Sequence, residues 1–204
     1  MNTAGKYVNK LTTDGFSKLI TARYGKDSLV IKAFEYLCAN MNKEKGFIRK
    51  FSGEDYFIHP QAVAEILIDM VDANADCVIV ALLHDCIEDM EEGTEEEIRN
   101  IFGDEITRKI LLVTKRPDID YHVHENLYEY LMNTLTDEDA VLVKIADRMN
   151  NNSTLSEATA QKRAKKTMET VNYFAPLAAK ARCMYPNNSE FYSNAERFFM
   201  LDID

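Results

Sequence analysis

The chain has 204 residues, 46% of them hydrophobic, which suffices for the core of one sizeable domain or two small ones. A formal net charge of −10 argues against nucleic acid as a partner, since such binding needs a basic footprint. An anionic small molecule stays possible, because a metal ion and a few local Arg or Lys residues can reverse the field inside one cleft.

No apolar run approaches the length of a membrane span, and MNTAGKYVNKLTTDG at the start lacks a signal-type hydrophobic region. We therefore expect a cytoplasmic protein with no membrane partner. The four cysteines, Cys38, Cys77, Cys86 and Cys183, form no CxxC pair and read as buried free thiols of a reducing compartment, not as a zinc site. Seven glycines, four prolines and long periodic segments favour an all-α fold.

Residues 14–23 and 28–41 read as two helices, the second with an apolar stripe of Leu29, Ile31, Ala33, Phe34, Leu37 and Cys38. The polar stretch 42–55 is the longest irregular segment of the first half and carries Arg49 and Lys50. A loop that leads into a ligand candidate makes a good site wall. The next helix is predicted over 60–71, with Pro60 in its first turn and His59 at its edge, where a histidine serves as a cap or surface residue more often than as a ligand.

Residues 77–89, CVIVALLHDCIED, form the centre of the chain. Every residue from Cys77 to Leu83 is apolar, so a helix here has no solvent face. His84, Asp85, Glu88 and Asp89 follow without a turn signal, and on a continuous helix Glu88 stacks on His84 and Asp89 on Asp85. Either the helix surfaces there, or a divalent cation compensates the crowded carboxylates.

Thr94 to Glu97 reads as a capping-box-like start of an acidic helix that ends near Phe102. Further helices are predicted over 103–115 and 121–134, the latter opened by His122 and His124, both read as exposed. The segment 137–151, DEDAVLVKIADRMNN, is a second buried helix that carries Asp147 within its apolar wrap. Amphipathic helices over 162–184 and 189–201 close the bundle. No linker or repeat is visible, so residues 1–204 are expected to form a single domain.

His59, His84, Asp85 and Asp147 make an H…HD…D set drawn from three separate helices. Two neutral imidazoles and two carboxylates suit a borderline divalent ion, and the carboxylate share tilts the choice toward Mn²⁺. Such an ion would lower the pKa of a bound water and polarise a phosphorus centre. Glu88 and Asp89 would then orient and deprotonate the nucleophile or protonate the leaving group. The set points to metal-dependent phosphohydrolysis.

At these residues the chain resembles the HD-domain superfamily, and within it the hydrolase domain of the RelA/SpoT alarmone enzymes and their small stand-alone relatives. Arg49-Lys50, Ser52-Gly53-Glu54, Tyr56 and His59-Pro60 are similar to an RKSGEPYxxHP segment. Ala81 to Asp85 with Glu88-Asp89 resembles ALLHDxxED, and Val113-Thr114-Lys115 resembles a VTK element. Lys144 to Arg148 with Asn151 and Thr154-Leu155 resembles KLADRxxNxxTL, and Glu169-Thr170 with Ala175 to Ala178 resembles ETxxxxAPLA.

The resemblance implies an all-helical HD-domain bundle with one Mn²⁺ held by His59, His84, Asp85 and Asp147. It implies water activation by Glu88 and Asp89, and a nucleotide site lined by Arg49, Lys50, Asn151 and Thr154. The implied reaction removes the 3′-pyrophosphate of ppGpp or pppGpp, giving GDP or GTP and pyrophosphate, in a small hydrolase-only form.

Three positions depart from the pattern: Phe51 is an apparent insertion, Met90 replaces a Thr, and Asn150 replaces a His. None is expected to touch the proposed ligands, so substrate choice is more affected than chemistry. A second reading therefore keeps the metal and changes the nucleotide to NADPH, at its 2′-phosphate, or to (p)ppApp. A third is a nucleotide-binding sensor without turnover.

Overall fold

The computed structural model describes Tyr7 and residues 10–50 and 52–201. Phe51, the apparent insertion, lies outside the described residues. Helices account for the regular structure; among the described residues the only β pairing is one antiparallel bridge between Ile48 and Asp55.

Helix α4, Ala75–Leu83, is the central element. Asn74 caps it by accepting from the Cys77 N–H at 2.8 Å, and every residue from Cys77 to Leu83 is 0–1% exposed. A helix apolar on every side must be surrounded. Here the neighbours are α2 (Leu29–Asn40), α3 (Ile58–Val71), α7 (Asp104–Val113) and α9 (Glu138–Ser153). Helix α1 (Thr13–Tyr24) packs on α2 and α3.

The central helix is not continuous through the ionisable residues. It ends at Leu83, turns at His84 and Asp85, and resumes as the single turn α5, Cys86–Asp89. The break is local: His84 and Asp85 keep right-handed helical dihedrals, and the Asp89 N–H still donates to the Asp85 carbonyl at 2.9 Å, so Asp89 stays one turn from Asp85 as expected. In α3 the helix begins at Ile58, two residues earlier than the Pro60 signal suggests, so His59 sits inside the first turn and is only 3% exposed.

Helix α6, Thr94–Phe102, is capped differently from expectation. Gly93, at φ 98°, occupies the N-cap position, and the Thr94 hydroxyl donates to the Glu91 carbonyl at 2.7 Å. Only glycine takes that left-handed geometry freely, so Thr94 moves inside the helix and the capping box does not form. Helix α8 is His124–Thr134, with His122 and His124 exposed as expected.

The segment predicted as one helix over 162–184 is α10 (Ala160–Glu169), a π-helical turn (Thr170–Phe174) and α11 (Ala175–Met184). Pro176 supplies no N–H to the preceding turn, and the wide turn re-routes the backbone there. Helix α12, Ser189–Leu201, pairs with α11, and the pair packs on α9 and the π turn. The buried apolar residues form one cluster running through these helices. Cys77 and Cys86 are buried, Cys38 is half-buried and Cys183 exposed, all as free thiols. No helix among the described residues is long and apolar enough to cross a membrane.

Candidate active site

Three parts of the fold deliver four donors to one point: α3 supplies His59, the α4–α5 junction supplies His84 and Asp85, and α9 supplies Asp147. His59 Nε2 lies 3.6 Å from Asp85 Oδ2 and 3.1 Å from Asp147 Oδ1. His84 Nε2 lies 3.2 Å and 3.9 Å from the same two oxygens. Donor atoms of His59, His84 and Asp85 all fall within 4.8 Å of one another, and Asp147 joins through both imidazoles.

On the opposite edge of each ring, Nδ1 faces an oxygen: Asn150 Oδ1 at 2.7 Å from His59, and the Ala81 carbonyl at 2.8 Å from His84. Those oxygens only accept, so each Nδ1 carries a proton and each Nε2 offers a lone pair toward the carboxylates. Lone pairs facing carboxylate oxygens repel unless a positive charge sits between them. The His84 Nε2 is buried without a hydrogen-bond partner of good geometry. Nitrogen and oxygen ligands bind transition metals at about 2.0–2.2 Å, which puts neighbouring donors about 3–3.5 Å apart. The observed spacings and this donor set fit a divalent cation.

Where no cation is bound, a proton takes its role. Burial opposes a charge on His84, but Asp85 and Asp147 beside it raise its pKa to about 9. Burial likewise resists ionisation of Asp85 and Asp147. The adjacent imidazoles for Asp85, and Lys144 with the imidazoles for Asp147, hold both below the usual carboxylate range. The Tyr56 hydroxyl donates to Asp85 Oδ2 at 2.8 Å, the Asn151 amide to Asp147 Oδ1 at 2.5 Å, and Lys144 Nζ lies 3.6 Å from Asp147 Oδ2.

Three of the four donor residues, His59, Asp85 and Asp147, line the floor of a cavity of about 1060 Å³, and His84 is buried beside them. Arg49, Lys50, Asn151 and Thr154, singled out as nucleotide contacts, all line it. Arg49 is half-buried with its guanidinium 5.9 Å from the Tyr56 ring centroid, whereas Lys50 is exposed. Thr154 follows the end of α9 and donates to the Asn151 carbonyl at 3.1 Å, so it fixes the turn as well as the wall. Lys115, Lys144 and Lys166 add positive charge to the same lining. Arg148 and Lys166 share Glu169, and burial of that carboxyl is outweighed by the two cations, which lower its pKa to about 2.

The two candidate acids are separated. Glu88 lines the cavity, with Oε2 accepting from the Lys115 N–H at 2.9 Å. Asp89 is absent from the lining; partial burial next to Asp85 and Glu88 pushes its pKa up to about 6.

One expectation is corrected. Asn150 was expected to leave the ligands untouched, yet its side chain contacts His59 directly. Tyr56, Lys115 and Lys144 also belong to the site, although sequence reasoning placed them only within motifs. Lys144 was legible as the residue one turn before Asp147 on a buried helix. The link from Asn150 to His59 spans 91 residues and gives no local signal.

An all-helical bundle with a His/Asp cluster at the meeting point of three buried segments defines a class of metal-dependent protein. The HD-domain family model matches residues 36–182, and the chain belongs to that family. The chain is 36% identical over 159 residues to the GTP pyrophosphokinase rsh of Brucella ovis, a match over 76% of this chain and 20% of the relative. It is 37% identical over 139 residues to the guanosine-3′,5′-bis(diphosphate) 3′-pyrophosphohydrolase of Aquifex aeolicus, over 67% of this chain and 20% of that one. The chain thus spans about a fifth of the length of these curated relatives. Among solved structures, one described as a metazoan ortholog of SpoT that hydrolyses ppGpp has the same fold. It aligns with a TM-score of 0.63 at 20% identity, over 86% of this chain and 94% of that one.

Proposed function

We propose that the chain is an Mn²⁺-dependent (p)ppGpp 3′-pyrophosphohydrolase that works as one domain. The observation that carries this reading is the four-donor cluster of His59, His84, Asp85 and Asp147 at the floor of a cavity walled by cations. The likeness to relatives named for alarmone chemistry supports the substrate class.

A bound divalent ion supplies Lewis acidity at phosphorus and a water of lowered pKa. The protein's own residues do the rest. Glu88, the acid that faces the cavity, takes the proton of the attacking water, and the Lys115 N–H holds its carboxylate in place. The bond between the ribose 3′ oxygen and phosphorus breaks, and that oxygen leaves as a hydroxyl after gaining a proton. Glu88, protonated when it takes the water's proton, is the cavity-facing acid that returns a proton to that oxygen; Asp89, its pKa pushed up to about 6 by burial and by Asp85 and Glu88, stands next to it in the chain and outside the lining. Lys115 and Lys144 face the phosphates, while Arg49 offers a half-buried guanidinium plane to the base.

The test is a side-by-side product assay of the Mn²⁺-loaded protein with ppGpp, ppApp and NADPH. The expected result is GDP and pyrophosphate from ppGpp. Phosphate from NADPH alone, or turnover of ppApp alone, would contradict the guanine alarmone and retain the metal chemistry. No product from any of them, with binding intact, would favour a sensor.

A further inference from the structure

Asn150 occupies an unusual place: it is 3% exposed, lies three residues after Asp147 on α9, and touches two parts of the molecule that are far apart in sequence. Its Nδ2 lies 2.7 Å from the carbonyl oxygen of Tyr7, and its Oδ1 lies 2.7 Å from His59 Nδ1.

These two contacts fix each other. A backbone carbonyl can only accept, so the amide atom that meets Tyr7 must be the nitrogen. The opposite orientation would press two oxygens together at 2.7 Å. With the nitrogen committed to Tyr7, the oxygen must face His59, and His59 Nδ1 must then be the protonated nitrogen. Nε2 is left as a bare lone pair, 3.1 Å and 3.6 Å from Asp147 and Asp85. The tautomer of a ligand on α3 is thus dictated, through one amide, by a peptide carbonyl near the start of the chain.

That carbonyl is itself held. The Tyr7 N–H donates to Ser153 Oγ at 3.2 Å, and Ser153 Oγ donates to the Met149 carbonyl at 3.0 Å. The Tyr7 ring meets Phe198 of α12 edge-on at 4.8 Å between centroids. Helices α9 and α12 therefore form a seat for Tyr7.

We infer that Asn150 is a positioning residue of the metal centre: anchored to the Tyr7 carbonyl, it sets the His59 tautomer that presents Nε2 to the cation. The inference rests on the reading of the cluster as a cation site. It concerns the hydrogen bond behind the ligand, and such contacts typically change metal affinity by about 10–100-fold.

The experiment compares Asn150→Leu and Asn150→Asp in the full chain, with Mn²⁺ titrated calorimetrically and the thermal midpoint of each metal-free variant recorded. Leu removes both contacts. Asp keeps the acceptor toward His59 but loses the donor toward Tyr7 and sets an oxygen against the carbonyl. Asp should therefore be at least as destabilising as Leu, yet bind Mn²⁺ within about threefold of the parent, while Leu binds about 10–100-fold more weakly. If affinity simply follows the thermal midpoint, so that Asp is the weaker binder, the inference is overturned and Asn150 is a packing residue. Leu binding as tightly as the parent overturns it as well. Should Leu fail to fold, the Asp variant decides: loss of Mn²⁺ affinity by about tenfold or more contradicts the inference. If the parent itself binds no divalent ion, the cation site and this inference fall together, whereas parent binding with an unaffected Leu variant defeats the inference alone.

Discussion

The floor and the wall of the cavity are built on opposite principles. On the floor, His59, His84, Asp85 and Asp147 project from buried helical segments, and their side chains are only 1–18% exposed. Each has a second partner that fixes its orientation: Asn150, the Ala81 carbonyl, Tyr56, and Lys144 with Asn151. On the wall, Arg49 and Lys50 come from an irregular loop, and Lys50 is exposed. A rigid floor keeps donors within tenths of an ångström, which metal chemistry needs. A wall built on a loop can be retuned for a different nucleotide without disturbing that chemistry.

Breaking the floor should give the largest effects. His84→Ala or Asp147→Ala should abolish Mn²⁺ binding and turnover together, since the ion needs several donors at once. Calorimetric titration beside a pyrophosphate-release assay checks this, and a His84→Ala variant that still binds Mn²⁺ with parental affinity would break the comparison. Glu88→Gln lies at the boundary between floor and wall. It should leave metal affinity unchanged and lower kcat by about 10²–10⁴-fold, the range for loss of a proton-transfer group; full activity would remove Glu88 from that role.

Protons should compete with the cation on the floor. Burial disfavours charge on His84, but Asp85 and Asp147 raise its pKa to about 9, above the unfolded value of about 6.5. In the metal-free protein this group therefore contributes stability that is fully present below about pH 6.5 and is lost as pH rises through about 9. Metal binding expels that proton, so Mn²⁺ affinity should climb about tenfold per pH unit between about pH 6.5 and 9, then level off. Affinity independent of pH across this window would contradict imidazole ligation.

The wall should respond more gently. Arg49→Ala should reduce kcat/KM for ppGpp by about tenfold, the scale of one cation–π contact to the base, with Mn²⁺ affinity unaltered. A change in metal affinity would show that loop and floor are coupled.

How legible each region was follows from the same physics. The unbroken apolar run from Cys77 to Leu83 demanded a buried helix, and α4 has no solvent face. The His and Asp residues could be gathered because charge at the end of such a helix needs a partner. Three features lay beyond local pattern. The break in the helix at His84–Asp85 carries no Gly or Pro to announce it. The π turn over Thr170–Phe174 preserves helical periodicity on both sides, so one long helix and two joined ones read alike. The contact of Asn150 with His59 and Tyr7 depends on the packing of segments 91 and 143 residues apart.

The account rests on one cation between the donors of the floor. Anomalous diffraction from crystals grown with Mn²⁺, collected on either side of the manganese absorption edge, tests this directly. The predicted result is one strong manganese peak within bonding distance of His59 Nε2, His84 Nε2, Asp85 and Asp147, with His59 Nδ1 still against Asn150. A well-ordered crystal with the cluster closed on itself and manganese absent, or bound elsewhere, would contradict it.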